Sequence, residues 1–470
     1  MSEAVVAFVT EWIKTQKPQA PQLKGASTFH RNLEEALDLR RADHAMFTRT
    51  KSTWKRGLSS DFCSNDLLSL GKTGAIRRAF LEELDRNPEF MLYSGGSRLG
   101  DGNYSYIEEV ESEIAAFHGA ESALIVNSGW DANTAIYAAI PRPGDAIVYD
   151  ELVHASTHDG MTMSLAQCRK QFRHNDLDSL KDAIAAVLDT QPQIVDGSRS
   201  LLISVESVYS MDGDVCPLLD MLDVAREMCP KGNAVFIVDE AHATGVLGPK
   251  GAGLVSHLGV QKQISIRMHT CGKSLASNGA VILSSEAVRN TIINYARSVI
   301  YTTAPSFPLV AGIRAGYKLM ASGETQKYQD NVQRLVRHFF ATIESNPHWV
   351  KAQEMGILDI PVLENWKERD FVAHIVPLRS RQRYVWWLVF QLQLSGISAF
   401  PVDYPTVPRG QSRIRLMFHA ANTDEEVDLL AKTICEWAAE MIEIESSPDG
   451  GSKTLPKAAR KVYALMAANT

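Results

Sequence analysis

Two stretches of the chain carry residue types suited to one kind of chemistry. The first, Val235-Phe236-Ile237-Val238-Asp239-Glu240-Ala241-His242, is an apolar run that ends in a carboxylate and an imidazole. The second, Arg267-Met268-His269-Thr270-Cys271-Gly272-Lys273-Ser274-Leu275-Ala276, sets a lysine among small and polar residues. The apolar run reads as a buried strand, and α/β sheets place their ligands at the C-terminal ends of such strands. A lysine for a Schiff base and an acid facing a pyridinium nitrogen are the groups that pyridoxal phosphate requires. The acid keeps that nitrogen protonated, and the protonated ring draws electrons from the substrate carbon. A lysine in a loop of small residues is ordinarily a solvated surface group, so the expectation rests on both stretches in this order.

Positioning these groups requires a sheet whose strands exit into polar turns, and the pattern from Ala120 onward supplies it. Ser122–Val126 leads into Asn127-Ser128-Gly129-Trp130-Asp131-Ala132-Asn133 and then a helix over Thr134–Ile140. A polar turn that opens a helix offers free N–H groups and the positive end of the helix dipole to an anion, which suits a phosphate at Ser128 to Trp130. Trp130 is either plain packing or a flat partner for a ring cofactor. Asp145–Asp150 runs into His154-Ala155-Ser156, and Ser200–Val205 runs into Glu206 and the polar segment Ser207–Asp214. A lone histidine is more often structural than catalytic, but His154 stands at a strand's exit. A further strand, Gly279–Leu283, follows the lysine. Repeated strand and helix units of this kind predict a mostly parallel sheet with helices on both faces.

Before and after this region the character differs. The first turns, from Val5 to Lys14, predict an amphipathic helix, residues 15–30 a linker, and Arg31–Thr48 a helix. Asn65, in the turn Ser64-Asn65-Asp66, either caps a helix or serves a site. Tyr93–Asn103 is a glycine-rich loop ahead of a helix over Tyr106–His118; no apolar strand leads into it, so it is not a dinucleotide fingerprint. Past Pro305 come helical patterns over Pro308–Ala321, Glu324–Ser345 and Tyr384–Leu394. Short strands are expected near 372–376 and 413–418, then a helix over Thr423–Ile444 opened by a capping box of Thr423 and Glu426. The tail from Ser446 is flexible in composition and ends in a basic helix, Lys457–Ala468. The expected organisation is an N-terminal segment over 1–75, a large α/β domain over 76–305, a small α+β domain over 306–445 and a tail over 446–470.

The 470 residues carry 45% hydrophobic and 22% charged residues, ordinary for a globular enzyme, and the net charge of −7 offers no basic surface to nucleic acid. The six cysteines form no CxxC pair and no Cys/His cluster at metal spacing, so reduced thiols and no metal are expected. No apolar run reaches the roughly 18 residues of a membrane span. Early acids and the lack of a basic leader argue against a targeting peptide, which makes the cytoplasm the expected compartment.

With these pieces in order, the chain resembles the α-oxoamine synthases, fold-type I pyridoxal-phosphate enzymes that join an amino acid to an acyl thioester, and among them those of the 8-amino-7-oxononanoate synthase type. The similarity runs from about Leu33 to Leu430. It includes the Ser-Asn-Asp turn at 64–66, the Gly-Gly-Ser loop, Ser128-Gly129, His154-Ala155-Ser156, the Ser-Met-Asp-Gly-Asp run at 210–214, Asp239 to Gly245, Gly272-Lys273, Tyr301 to Thr303 and Pro405-Thr406-Val407-Pro408. The resemblance implies a seven-stranded, mostly parallel sheet with a smaller C-terminal α+β domain. It implies that Lys273 forms the Schiff base, Asp239 pairs with the ring nitrogen, His154 stacks on the ring, and His242 and Ser210 bond its O3′. Ser128, Gly129, Trp130, Thr270 and the partner subunit's copy of Thr303 would hold the phosphate, with Glu206 also in the cofactor site. Asn65 and Arg415 would receive the amino-acid carboxylate, a task suited to a bidentate arginine. Freed Lys273 would remove the Cα proton, and His242 would polarise the acyl carbonyl. A homodimer with shared sites is implied as well.

Four departures bear on the acyl substrate. Leu67 and Ser69 stand where Tyr and Gly are usual, Ser274-Leu275-Ala276-Ser277-Asn278 replaces a glycine-rich run, and Asn422 replaces a histidine. Where relatives place an arginine for a dicarboxylic acyl chain the sequence has Phe47, with Arg49 nearby. The expectation is therefore an aminoketone-forming synthase that takes alanine or another small amino acid with pimeloyl-CoA. The alternative keeps that reaction but takes a long-chain acyl or polyketide thioester, from CoA or a carrier, in secondary metabolism. A third reading, a catalytically silent partner-binding subunit, runs against the presence of Lys273, Asp239, His242 and His154.

Overall fold

Strands form where β-branched and aliphatic residues run unbroken, and their complete burial follows from cover on both faces. The computed structural model describes residues 15, 17–23, 25–42, 46, 52–381, 384–404, 406–447 and 454–468. The expected helix at Val5 to Lys14, and Phe47, Arg49 and Pro405, lie outside the described residues. The described chain divides into two units, one of Asn65–Val332 and one of Met1–Ser64 with Gln333–Thr470.

The 65–332 unit is built on seven strands. They are β2 (Ser122–Val126), β3 (Ala146–Asp150), β4 (Cys168–Phe172), β5 (Leu201–Glu206), β6 (Ala234–Asp239), β7 (Ile264–Thr270) and β8 (Ala280–Ser284), following a β1 (Ser60–Asp61) in the other unit. Their order is β2-β8-β7-β6-β5-β3-β4, with β8 antiparallel to both neighbours and all other pairs parallel. This is the sheet of the fold-type I class. Leu202 and Ile237 pack with Ile136 of helix α1 (Gly129–Ala139) on one face. Leu201, Ile203, Phe236 and Val238 pack with Leu180, Ile184 and Met221 on the other. Each such fully buried aliphatic contributes about 1.5–3 kcal/mol of transfer free energy. The parallel strands β3, β5 and β6 end together at Asp150, Glu206 and Asp239. The edge strand β4 is absent from the expectations above because its Cys-Arg-Lys-Gln-Phe sequence is polar, as suits an edge exposed to water.

The other unit holds an antiparallel sheet in the order β12-β13-β10-β9. Its strands are β9 (Leu358–Asp359), β10 (Ile375–Ser380), β12 (Phe400–Val402) and β13 (Arg413–Met417); β11 (Ile397–Ser398) pairs in parallel with β1. The strand expected at 372–376 starts at Ile375, and two short strands flank the expected pair. Helix Asp424–Glu445 carries the expected capping box: the Thr423 hydroxyl accepts from Glu426 N while the Glu426 carboxylate accepts from Thr423 N. Helices Val385–Leu394 and Lys457–Ala468 pack together through Phe390, Ala459 and Val462. Residues expected to form a linker include a 3₁₀ turn at Ala20–Leu23 and the start of a helix, Thr28–Ala42. Among the described residues no helix is long and apolar enough to cross a membrane.

Candidate active site

Asp239 is the last residue of β6, buried to 9% exposure, and both of its oxygens are engaged. Asn133 Nδ2 donates to Oδ2 at 2.9 Å and Ala241 N donates to Oδ1 at 2.9 Å. The turn that follows is fixed from beneath by Glu240, whose carboxylate accepts from Leu254 N and Val255 N at 2.9 and 2.8 Å. This turn carries His242, which is buried, and Lys273 Nζ lies 2.9 Å from His242 Nε2. The lysine turn is joined to the histidine turn by Ser274 Oγ, which donates to Thr244 O. Gly245 sits at φ +82°, and a Cβ there would stand 2.7 Å from Ser274 Oγ, so the close approach of the two turns requires glycine.

His154 precedes the helix Ala155–Thr162 as its N-cap. Its N–H donates to Glu206 Oε1 at 2.6 Å, and its Nδ1 lies 2.7 Å from Ser156 Oγ. Asn133 Nδ2 also donates to Ser156 Oγ at 3.0 Å, so one helix residue ties the His154 ring to Asp239. Burial lowers the pKa of His154; Asp239 opposes the shift and Lys273 and His158 add to it. Trp130 is 44% exposed and meets the His154 ring edge-on at 5.9 Å and 81°. Asn133 and Ser156 were not singled out from the sequence. The available signal for Asn133 was a polar residue on the inward, otherwise apolar face of α1, where it is 2% exposed.

Ser128 caps α1: its hydroxyl accepts from Asp131 N and donates to Asp131 Oδ2. At Gly129 a Cβ would lie 2.4 Å from Thr270 Oγ1, so bare backbone faces that hydroxyl. Thr303 is exposed, and its carbonyl accepts from Asn127 Nδ2 at 3.3 Å. Ser210 lies on the Ser207–Asp214 segment that leaves β5. Asn65 keeps its side-chain oxygen buried with no hydrogen-bond partner among the described residues. Arg415, on β13, belongs to the other unit; burial lowers its pKa, an effect that nearby Cys63 opposes. Among the described residues no group of three or more His, Cys, Asp or Glu is arranged to hold a metal.

The family model for aminotransferase class I and II matches residues 60–434. The chain is 60% identical over 466 residues to the aminoacyl transferase sphA of Aspergillus fumigatus, an alignment that covers 99% of this chain and 98% of that protein. It is 44% identical over 411 residues to the 8-amino-7-oxononanoate synthase of Emericella nidulans, covering 87% of this chain and 96% of that one. The chain belongs to the α-oxoamine synthases, within the aminotransferase class I and II family. Its fold matches a serine palmitoyltransferase from S. paucimobilis with bound PLP and myriocin at a TM-score of 0.68 and 22% identity, over 82% of this chain and 88% of that one. It also matches the 8-amino-7-oxononanoate synthase of Francisella tularensis at 0.60 and 25%, over 81% and 98%.

α-Oxoamine synthases are enzymes that use pyridoxal 5′-phosphate to condense an amino acid with an acyl thioester, and the residues brought together here fit that cofactor. The Gly129 backbone against Thr270 makes a cradle that any Cβ would fill. Asp239 is buried at a strand end, where an acid can meet a ring nitrogen, and Lys273 Nζ stands 2.9 Å from the His242 imidazole. When bound, the cofactor supplies the electron sink for the substrate's Cα.

Proposed function

We propose that this α-oxoamine synthase joins a small amino acid to a long, uncharged acyl or polyketide thioester in secondary metabolism, with loss of carbon dioxide, to release an α-aminoketone. The observation that carries this reading is the extent of similarity. The match to an aminoacyl transferase spans 99% of the chain, whereas the match to an 8-amino-7-oxononanoate synthase is weaker and covers 87%. The pimeloyl-CoA expectation yields to the alternative on that ground, and the departures at Leu67 and Ser69 point the same way. Leu67 is fully buried, an apolar residue where relatives carry a phenol.

In this reading the amine of Lys273 takes the Cα proton of the bound amino acid. His242, 2.9 Å from Nζ, receives or returns that proton and donates to the acyl carbonyl as charge develops on its oxygen. Asp239 would pair with the ring nitrogen, and His154 would cover the ring. Ser128, Gly129, Trp130 and Thr270 would hold the phosphate, and Ser210 would bond the ring's O3′. Asn65 and Arg415 are assigned the amino-acid carboxylate. We assign the enzyme to a homodimer, in which Thr303 serves the partner's phosphate. Met91, Leu92, Tyr93 and Tyr301 support this, being 66%, 70%, 68% and 73% exposed on loops that Ser94 and Ala304 bond together.

The test is a mass-spectrometric product assay with pyridoxal phosphate, a panel of small amino acids, and CoA- and carrier-bound acyl thioesters with and without a terminal carboxylate. Long uncharged chains should exceed pimeloyl-CoA at least about tenfold in kcat/KM. A preference for pimeloyl-CoA with alanine would overturn the proposal.

A further inference from the structure

Glu206 ends β5 directly beside Asp239, which ends β6, in the register that also pairs Val205 with Val238. The two acids are buried to 4% and 9% exposure. Their surroundings differ. Asp239 accepts one N–H on each oxygen, from Asn133 Nδ2 and Ala241 N. Among the described residues Glu206 accepts a single N–H, that of His154, at 2.6 Å on Oε1. Two carboxylates side by side in a dry site do not both ionise, and the one with fewer donors takes the proton.

The groups facing Glu206 come from every element around it. Burial and then Asp239 raise its pKa, and Asp150 at the end of β3 adds to the rise. Lys273 from the turn after β7 and the His154 amide oppose it, and the outcome lies well above the ordinary carboxyl range. The Tyr209 hydroxyl is occupied by Glu206 N at 3.3 Å. A chain of contacts then links the two acids through the site: Glu206 to the His154 backbone, the His154 imidazole to Ser156, Ser156 to Asn133, and Asn133 to Asp239.

We propose that Glu206 is a positioning residue that works as a neutral carboxyl group, fixing the His154 backbone while leaving Asp239 the single negative charge of the pair. A second charge here would hold Lys273 as an ammonium and oppose its action as a base. The inference rests on the cofactor site assigned above and is independent of which acyl chain the enzyme takes.

The test uses the pyridoxal-phosphate-loaded enzyme and its Glu206→Gln and Glu206→Ala variants. Infrared difference spectra at neutral pH should contain the carbonyl stretch of a buried neutral carboxyl, shifted by deuterium, that disappears in Glu206→Gln. A Glu240→Gln variant separates any band from Glu240, which burial also shifts upward. Glutamine keeps both the acceptor for His154 N and neutrality. It should therefore retain the wild-type midpoint in the pH titration of the cofactor's visible absorbance, whereas Glu206→Ala should weaken cofactor binding about tenfold or more. The proposal is overturned if the wild type has no neutral-carboxyl band that Glu206→Gln removes. It is overturned equally if Glu206→Gln fails to fold, or moves that midpoint as far as Glu206→Ala does. The infrared band reads Glu206 alone, so a wrong substrate assignment leaves it untouched.

Discussion

His174 offers the most quantitative check on how the 65–332 unit holds its site loops. It follows β4 and lies between Asp150, at the end of β3, and Asp214, on the segment leaving β5. Its Nδ1 donates to Asp150 Oδ1 at 2.9 Å and its Nε2 to Asp214 Oδ2. Asn175, in the left-handed region at φ +52°, donates Nδ2 to Asp214 Oδ2 at 2.9 Å, so Asp214 is latched twice. That latch anchors the segment bearing Ser210. Burial alone would lower the pKa of His174, but the hydrogen bonds and charges of Asp150 and Asp214 lift it from 6.5 to about 10. Because the folded value is the higher one, the stabilisation is fully present below pH 6.5 and is lost as pH rises towards 10. A rise of that size corresponds to about 4–5 kcal/mol in full, and to about 3 kcal/mol at pH 7.5. The ring's 21% exposure reduces the expectation to about 2–3 kcal/mol. Urea unfolding of the wild type and His174→Gln with saturating pyridoxal phosphate should therefore differ by that amount at pH 7.5. The gap should shrink by about 2 kcal/mol between pH 6.5 and pH 9. A gap that stays constant or widens over that range would refute the charged latch.

Three further outcomes follow from particular contacts. Gly129→Ala places a Cβ 2.4 Å from Thr270 Oγ1, so Thr270 must shift and cofactor affinity by equilibrium dialysis should fall about tenfold or more; unchanged affinity would contradict it. Ala276 stands at φ +48°, and Ala276→Gly should gain about 0.5 kcal/mol in urea unfolding as left-handed strain is relieved; a loss would contradict it. Arg98 and Glu111 form a two-pronged pair with both side chains 3% exposed, and Glu111 also accepts from Ile125 N. Arg98→Leu should cost about 3 kcal/mol in urea unfolding, because it leaves buried Glu111 only the longer pairing to Arg289 at 3.5 Å; a loss under about 1 kcal/mol would contradict it.

The strand-borne chemistry was legible in the sequence because apolar runs announce their own exits. Asp239, His154 and Glu206 were found by following such runs to their ends, and the glycines and small residues around Lys273 marked its turn. The latch was not legible. His174 lies 24 residues from Asp150 and 40 from Asp214, and only the strand order β5-β3-β4 brings the three together. Asn133 was missed for a related reason: helical periodicity places it inward, but which polar groups meet it there depends on the sheet below. In the antiparallel sheet, β9 and β12 span two and three residues, too short for an alternating pattern to emerge.

Lys273 is expected to carry the cofactor within the site that Asp239, His242 and His154 complete. The most direct test is borohydride trapping of the pyridoxal-phosphate-loaded enzyme, followed by proteolysis and peptide mass spectrometry. One phosphopyridoxyl adduct is expected, on the peptide containing Lys273, and none in Lys273→Ala. A stoichiometric adduct on any other lysine, or an unlabelled Lys273 in enzyme that still forms product, would contradict it.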